Sequence, residues 1–292
     1  MTAPVDNVMS LTEAAARLGV HYMTAYRYVR TGRLAATKDG SQWRVRVADV
    51  AAFAAPSRDS PAPRGSRAEG TNATVRGGRR RTNWSGRAED RLVAGDEAGA
   101  WTVMEGAMSA GMSPESLYLD VIVPALRSIG DRWASGDLTV ADEHRASGVT
   151  HRLVGRLGPR FARRGRKRGT VLLAAPPGEL HDLPIALVAD LLRSRSFDVS
   201  DLGANVPIES LANAAAHTPR LVAVGLCATS PDNEANIRTA IAAVRNVTLA
   251  PVVLGGGAIA GQTHAMELGA DRGGLSARAV LEAFERLTPV HA

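Results

Sequence analysis

One cysteine, Cys227, is all the chain has, which excludes an internal disulfide and a cysteine-built zinc site and fits a reducing compartment. No apolar run approaches the roughly 20 residues a membrane helix needs. The hydrophobic fraction, 45%, is ordinary for a soluble protein. The first residues lack the basic-then-apolar layout of a secretory signal, so a cytoplasmic location is expected. Gly-x-Gly-x-x-Gly and Walker patterns are also missing, so the run Gly255, Gly256, Gly257 is weak as a phosphate loop.

Positive charge is unevenly spread. Residues 1–85 hold 14 Lys and Arg against 6 acids, whereas residues 86–292 hold 21 against 23. A basic front on a nearly neutral body points to a polyanion partner for the front. With 292 residues there is room for two or more domains. Four segments are expected: a helix-turn-helix module at 8–54, a basic linker at 55–85, a helical bundle at 86–166 and an α/β domain at 167–290.

In the first segment Ser10 and Glu13 form a capping box ahead of Leu11, Ala14, Ala15 and Leu18, and Gly19 breaks the helix. A second helix is expected from about residue 21 to 31, followed by a hairpin turning at residues 38–41. This is the layout of a winged helix-turn-helix and resembles the excisionase and MerR-like DNA-binding modules. On that resemblance the second helix enters the major groove of double-stranded DNA. Tyr22, Thr24, Tyr26 and Arg27 are then candidates for bases or phosphates, and Lys38, Arg44 and Arg46 for phosphates. Trp43 and Tyr28 are expected in the module's core. Residues 54–85, with seven arginines against two acids and little apolar content, cannot bury enough to fold alone.

From about 88 to 165 the apolar spacing is helical, with breaks at residues 111–114 and 136–137, and predicts a bundle of four or five helices. Trp133, Glu143 and His144 gather at one junction; the plain explanation for the acid is a helix N-terminus. The last third alternates strand and helix, which predicts a doubly wound parallel sheet. In such sheets ligands sit at the C-terminal ends of the strands. The loop after the first strand carries Glu179-x-His181-Asp182-Leu183. A histidine there can offer one ring nitrogen to a metal while Glu179 accepts a hydrogen bond from the other.

Taken in order, Glu179-x-His181, Cys227-x-Thr229 and Gly255-Gly256 resemble the loops of cobalamin-binding modules. The preceding bundle resembles the helical cap of methionine synthase. Trp133-x9-Glu143-His144 is similar to the signature of the CarH and LitR light-sensing regulators. The resemblance implies adenosylcobalamin as cofactor, with cobalt on His181 and Glu179 orienting that ring. It places the nucleotide tail against Cys227, Thr229 and Gly255, Gly256 and Gly257, with Asp182 and Leu183 in the binding loop. Trp133, Glu143 and His144 would surround the upper group. It further implies a transcriptional regulator, not an enzyme, in which a homotetramer holds DNA in the dark and dissociates from it when light breaks the cobalt–carbon bond. Three positions depart from the pattern: Pro184 for glycine, Cys227 for serine, and Ala134 where the light regulators carry a second cobalt-binding histidine. The alternatives are a light-independent cobalamin sensor, a cofactor-free regulator and a corrinoid enzyme component.

Overall fold

The computed structural model describes residues 8–19, 25–26, 28–29, 33–39, 42–54, 82–230 and 233–287. The chain divides into two compact units, Met1–Asn83 with Arg132–Val140, and Trp84–Asp131 with Ala141–Ala292.

In the first unit, helix α1 (Leu11–Leu18) has the expected capping box, the Ser10 side chain accepting from the Glu13 N–H and Glu13 accepting from the Ser10 N–H. Gly19 ends it at φ +66°, in the left-handed region that glycine enters without strain. Strands β1 (Val8–Ser10), β2 (Ala36–Asp39) and β3 (Gln42–Arg46) form an antiparallel sheet in the order β1-β3-β2. Lys38 and Asp39, expected in the turn, instead pair with Trp43 and Gln42 in the ladder. Helix α2 (Val47–Ala54) and β1 were not foreseen. The core is Leu11, Ala14, Ala25, Leu34, Val45 and Val50, with Tyr28 and Trp43 packed against it as expected. The second helix is seen at residues 25–26 and 28–29; the rest of the stretch 21–31 lies outside the described residues, as does the linker from 55 to 81.

The helical stretch of the chain begins with α3 (Trp84–Ala94) and α4 (Glu97–Ser109). Asp96 caps α4 by accepting from the Gly99 N–H. The next helix starts at α5 (Pro114–Leu117), widens into a π-helical stretch (Tyr118–Ile122) and continues as α6 (Val123–Ser135). Helix α7 (Val140–Leu157) carries Asp142 and Glu143 in its first turn, where the helix dipole favours acids. Leu92, Met104, Leu117, Ile122, Ile129 and Leu153 are fully buried, following the expected spacing.

A 3-10 turn (Gly158–Phe161) leads to a five-stranded parallel sheet. Its strands are β4 (Thr170–Ala174), β5 (Asp198–Asp201), β6 (Leu221–Cys227), β7 (Val252–Gly255) and β8 (Arg272–Gly274), in the order β5-β4-β6-β7-β8. Helices α8 (Leu183–Ser194), α9 (Ile208–His217), α10 (Glu234–Arg245), α11 (Gln262–Glu267) and α12 (Ala277–Leu287) alternate with them. Strand β8 was not foreseen. The chain departs from β4 to one side and returns through β6 on the other, so a crevice opens between the loops after these two strands.

Candidate metal centre

The β4–α8 loop is tied down on every side. Gly178 donates its N–H to Asn205 Oδ1, the Asn205 N–H donates to the Glu179 carbonyl, and Asn233 and Asn236 both donate to the Pro177 carbonyl. Glu179 is fully buried. Its carboxylate bridges the crevice and accepts from the backbone N–H groups of Thr229 (2.5 Å), Ser230 (2.6 Å) and His181 (3.0 Å), from Ser230 Oγ (3.1 Å) and from His181 Nδ1 (2.5 Å). A buried carboxylate with that many donors is a satisfied anion. Burial alone would raise its pKa, but the hydrogen bonds from His181 and the Ser230 N–H override burial and hold the carboxyl at about 2.

His181 is held by this anchor. The bond to Glu179 raises its pKa against the opposing effect of burial, with the charges of Glu179, Glu143 and Asp182 acting in the same direction. Its side chain remains 44% exposed, and Nε2 has no partner among the described residues. Fixing Nδ1–H on a carboxylate selects the tautomer whose Nε2 lone pair is available to a metal. Among the described residues no three His, Cys, Asp or Glu side chains converge to form a metal cage. One oriented imidazole suits a metal that brings its other ligands with it, as a corrinoid does with its four ring nitrogens, and on that test the site fits a cobalt macrocycle.

The remaining expected residues fall into three groups. Beside His181, Asp182 is exposed and its Oδ1 lies 3.1 Å from His151 Nε2, whereas Leu183 is 7% exposed and packs inward. Along the strand ends, Cys227 Sγ lies 3.7 Å from Thr229 Oγ1, and burial pushes the Cys227 thiol up to about 12, so it stays a neutral thiol. A Cβ on Gly255 would meet Val280 at 2.5 Å, and on Gly256, at φ +127°, the Ala228 carbonyl at 2.2 Å. Both glycines therefore serve the packing of the strand ends, while Gly257 is exposed and has room for a side chain. On α7, Glu143 accepts from His144 Nδ1 (2.6 Å) and Ser147 Oγ (2.7 Å). Trp133 lies in the last turn of α6 with its Nε1 buried and unpartnered. Ser230 was not singled out from the sequence as a site residue. It follows Thr229 directly and was within reach of the same argument.

In the nucleic-acid module, Lys38 and Arg46 are exposed on the hairpin and Arg44 sits 3.7 Å from Asp39. Tyr26 is half-buried, edge-on to Trp43 at 6.5 Å between ring centres. Tyr22, Thr24 and Arg27 lie outside the described residues.

Three family matches tile the chain: a helix-turn-helix domain at residues 8–57 and B12 binding domains at 86–157 and 169–284. The chain is 28% identical over 202 residues to trimethylamine corrinoid protein 1 of Methanosarcina acetivorans, covering 67% of this chain and 92% of that one. It is 40% identical over 106 residues to the HTH-type transcriptional repressor CarH of Myxococcus xanthus, covering 36% of this chain and 34% of the repressor. The monomethylamine corrinoid protein of Methanosarcina barkeri shares the fold, with a TM-score of 0.60 at 20% identity over 68% of this chain and 96% of that structure. Among the described residues no helix is long and apolar enough to cross a membrane. The chain therefore joins a DNA-binding helix-turn-helix domain to a helical B12-binding cap and a Rossmann-like B12-binding domain.

Proposed function

We propose that this protein is a transcriptional regulator whose DNA binding is governed by adenosylcobalamin, with light as the input. The observation that carries the reading is an imidazole fixed by a buried carboxylate, its Nε2 open to a metal, in a chain that also has a helix-turn-helix domain. His181 would hold the cobalt, Glu179 sets the tautomer of that ring, and the hydrogen bonds from His181 and the Ser230 N–H keep Glu179 ionised. Glu143, braced by Ser147 and His144, would contact the group that the cofactor carries. When bound, the cofactor supplies a cobalt–carbon bond that light can cleave. The chain's part would be to sense that group with Glu143 and His144 and to convert its loss into a change of assembly. Linking DNA-reading heads in a homotetramer raises avidity by about 10²–10⁴ without any new contact.

A dark, adenosylcobalamin-loaded sample that runs as a large coloured species and becomes smaller after green light supports this reading. A coloured species of unchanged size makes the protein a light-independent cobalamin sensor, the reading that Ala134 favours. A colourless peak removes His181 from its role. A second reading, a corrinoid carrier for methyl transfer, has in its favour the similarity to trimethylamine corrinoid proteins over 92% of their length. It predicts methyl transfer from loaded protein to a thiol or to tetrahydrofolate, and it leaves the helix-turn-helix domain without a task.

A further inference from the structure

The near-neutral sum over residues 86–292 hides a strong local concentration of charge. Residues 152–168, from the second half of α7 to the entrance of β4, hold eight Arg and Lys and no acid. Part of this set is used internally: Arg152 pairs with Glu97, Arg156 lies 3.7 Å over the Trp101 ring, and Arg168 stacks on Phe197 at 4.4 Å. The rest forms a strap along the end of the sheet away from His181. Arg163 Nε donates to the Ser194 carbonyl, Lys167 Nζ to the Arg163 carbonyl and the Arg168 N–H to the Ser196 carbonyl. Arg220, at the turn before β6, donates to the Lys167 carbonyl at 2.7 Å and brings a further cation to the strap. These bonds run mainly to backbone carbonyls, so they position the segment without neutralising it.

Among the described residues, Arg160, Arg163, Arg164, Arg166, Lys167 and Arg220 have no carboxylate partner. Asp198, beside Thr170 in the ladder, makes no ion pair with any of them. Five of the six cations are exposed and Lys167 is half-buried. Holding so many like charges on one surface costs self-repulsion that a polyanion would relieve. Large apolar anchors, which a protein partner would use, are absent from the exposed part of the strap, because Phe161 and Leu157 are buried inward. Guanidinium groups suit phosphate oxygens, which they can grip with two parallel hydrogen bonds.

We infer that the strap at residues 160–167 with Arg220 is a second DNA-binding surface, one that grips the phosphate backbone of duplex DNA without reading sequence. The inference rests on the regulator reading, in which duplex DNA is already held by the helix-turn-helix domain. The strap lies at the N-terminal ends of β4, β5 and β6, about 15 Å of strand from the β4–α8 loop. Both can therefore be occupied at once.

The test uses the full-length chain loaded with adenosylcobalamin in the dark and a random-sequence duplex, titrated over a range of salt concentrations. Each phosphate contact contributes about 0.9 to the slope of log affinity against log salt. The quadruple variant R160Q/R163Q/R164Q/R166Q is expected to lower that slope by about 2–4 and to weaken binding about 30-fold or more at physiological salt. Its corrinoid spectrum and elution volume stay those of the wild type. The matching lysine variant, R160K/R163K/R164K/R166K, keeps most of the slope. A wild-type chain that binds duplex, with a glutamine variant of the same slope, overturns the strap alone. A wild-type chain that binds no duplex overturns the regulator reading and the strap with it. Poly-glutamate that binds the wild type and not the glutamine variant, with the DNA slope unchanged, would assign the surface to an acidic protein and also overturn the proposal.

Discussion

At the scale of one side chain, Glu179 ties together the loops after β4 and β6, between which the sheet topology opens a crevice. Replacing it by glutamine puts an amide N–H₂ among donors from Thr229, Ser230 and His181, so at least one buried donor loses its acceptor. A group left unsatisfied in this way costs about 1–3 kcal/mol. Chemical denaturation of cofactor-free E179Q should show that loss; stability equal to wild type would contradict the geometry. The Tyr118 hydroxyl offers a second case. It is fully buried and donates to Asp190 Oδ2 at 2.8 Å, while Arg193 satisfies Asp190 Oδ1, and burial beside that carboxylate raises the phenol's pKa well above its ordinary value. Removing the hydroxyl in Y118F strips one bond from an ionised acceptor, with an expected loss of about 1.5–3 kcal/mol by the same measurement. Glu179-x-His181 was legible in the sequence because acid and imidazole are two residues apart and act on each other. The donors that complete the ring around Glu179 were not, because backbone N–H groups from residues 229–230 carry no side-chain signature.

At the scale of elements, apolar periodicity revealed the longer helices and strands because each buries a regular face. It failed for the short ones. Strand β8 reads Arg272, Gly273, Gly274, with no apolar alternation at all; it needs glycine because a Cβ on Gly273 would meet the Ala265 Cβ at 2.2 Å and the Leu254 carbonyl at 2.6 Å. The same logic separates two neighbours in the β7–α11 loop. G256A adds a methyl group against the Ala228 carbonyl at a φ that L residues rarely adopt, and is expected to cost about 3 kcal/mol or more, whereas G257A is expected to stay within about 0.5 kcal/mol of wild type. Thermal melts of the two variants decide this, and equal melting temperatures would contradict it. One junction joins the π-bulged helix to the sheet domain: Arg195, at the end of α8, grips Glu115 with two bonds of 2.8 Å and Glu285 with one of 2.8 Å. The Arg195 bond lowers the Glu115 pKa against the opposing effect of burial. A carboxyl depressed in the folded state stabilises above its unfolded pKa and loses that contribution as the pH falls through the folded value. The stability gap between wild type and E115Q should therefore be full at neutral pH and close progressively below about pH 4. A gap that persists unchanged to lower pH would show that Glu115 contributes by packing alone.

For the molecule as a whole, the order of parts was legible: a basic module first, a helical bundle next and a βαβ domain last, each with its own periodicity. What the sequence sum concealed was the distribution of charge inside the body, where 21 basic and 23 acidic residues nearly cancel while residues 152–168 carry cations alone. Net charge describes a domain's average field, but association depends on the local one. The central claim is that this chain holds cobalt through His181 Nε2. It is tested most directly by electron paramagnetic resonance of the protein loaded with cob(II)alamin, prepared once with ordinary and once with ¹⁵N-labelled histidine. The account predicts nitrogen splitting that changes from a triplet to a doublet on histidine labelling, a response to the label that is lost in H181A. A triplet unaffected by the label would mean that the cofactor keeps its own base on cobalt, and would contradict the account.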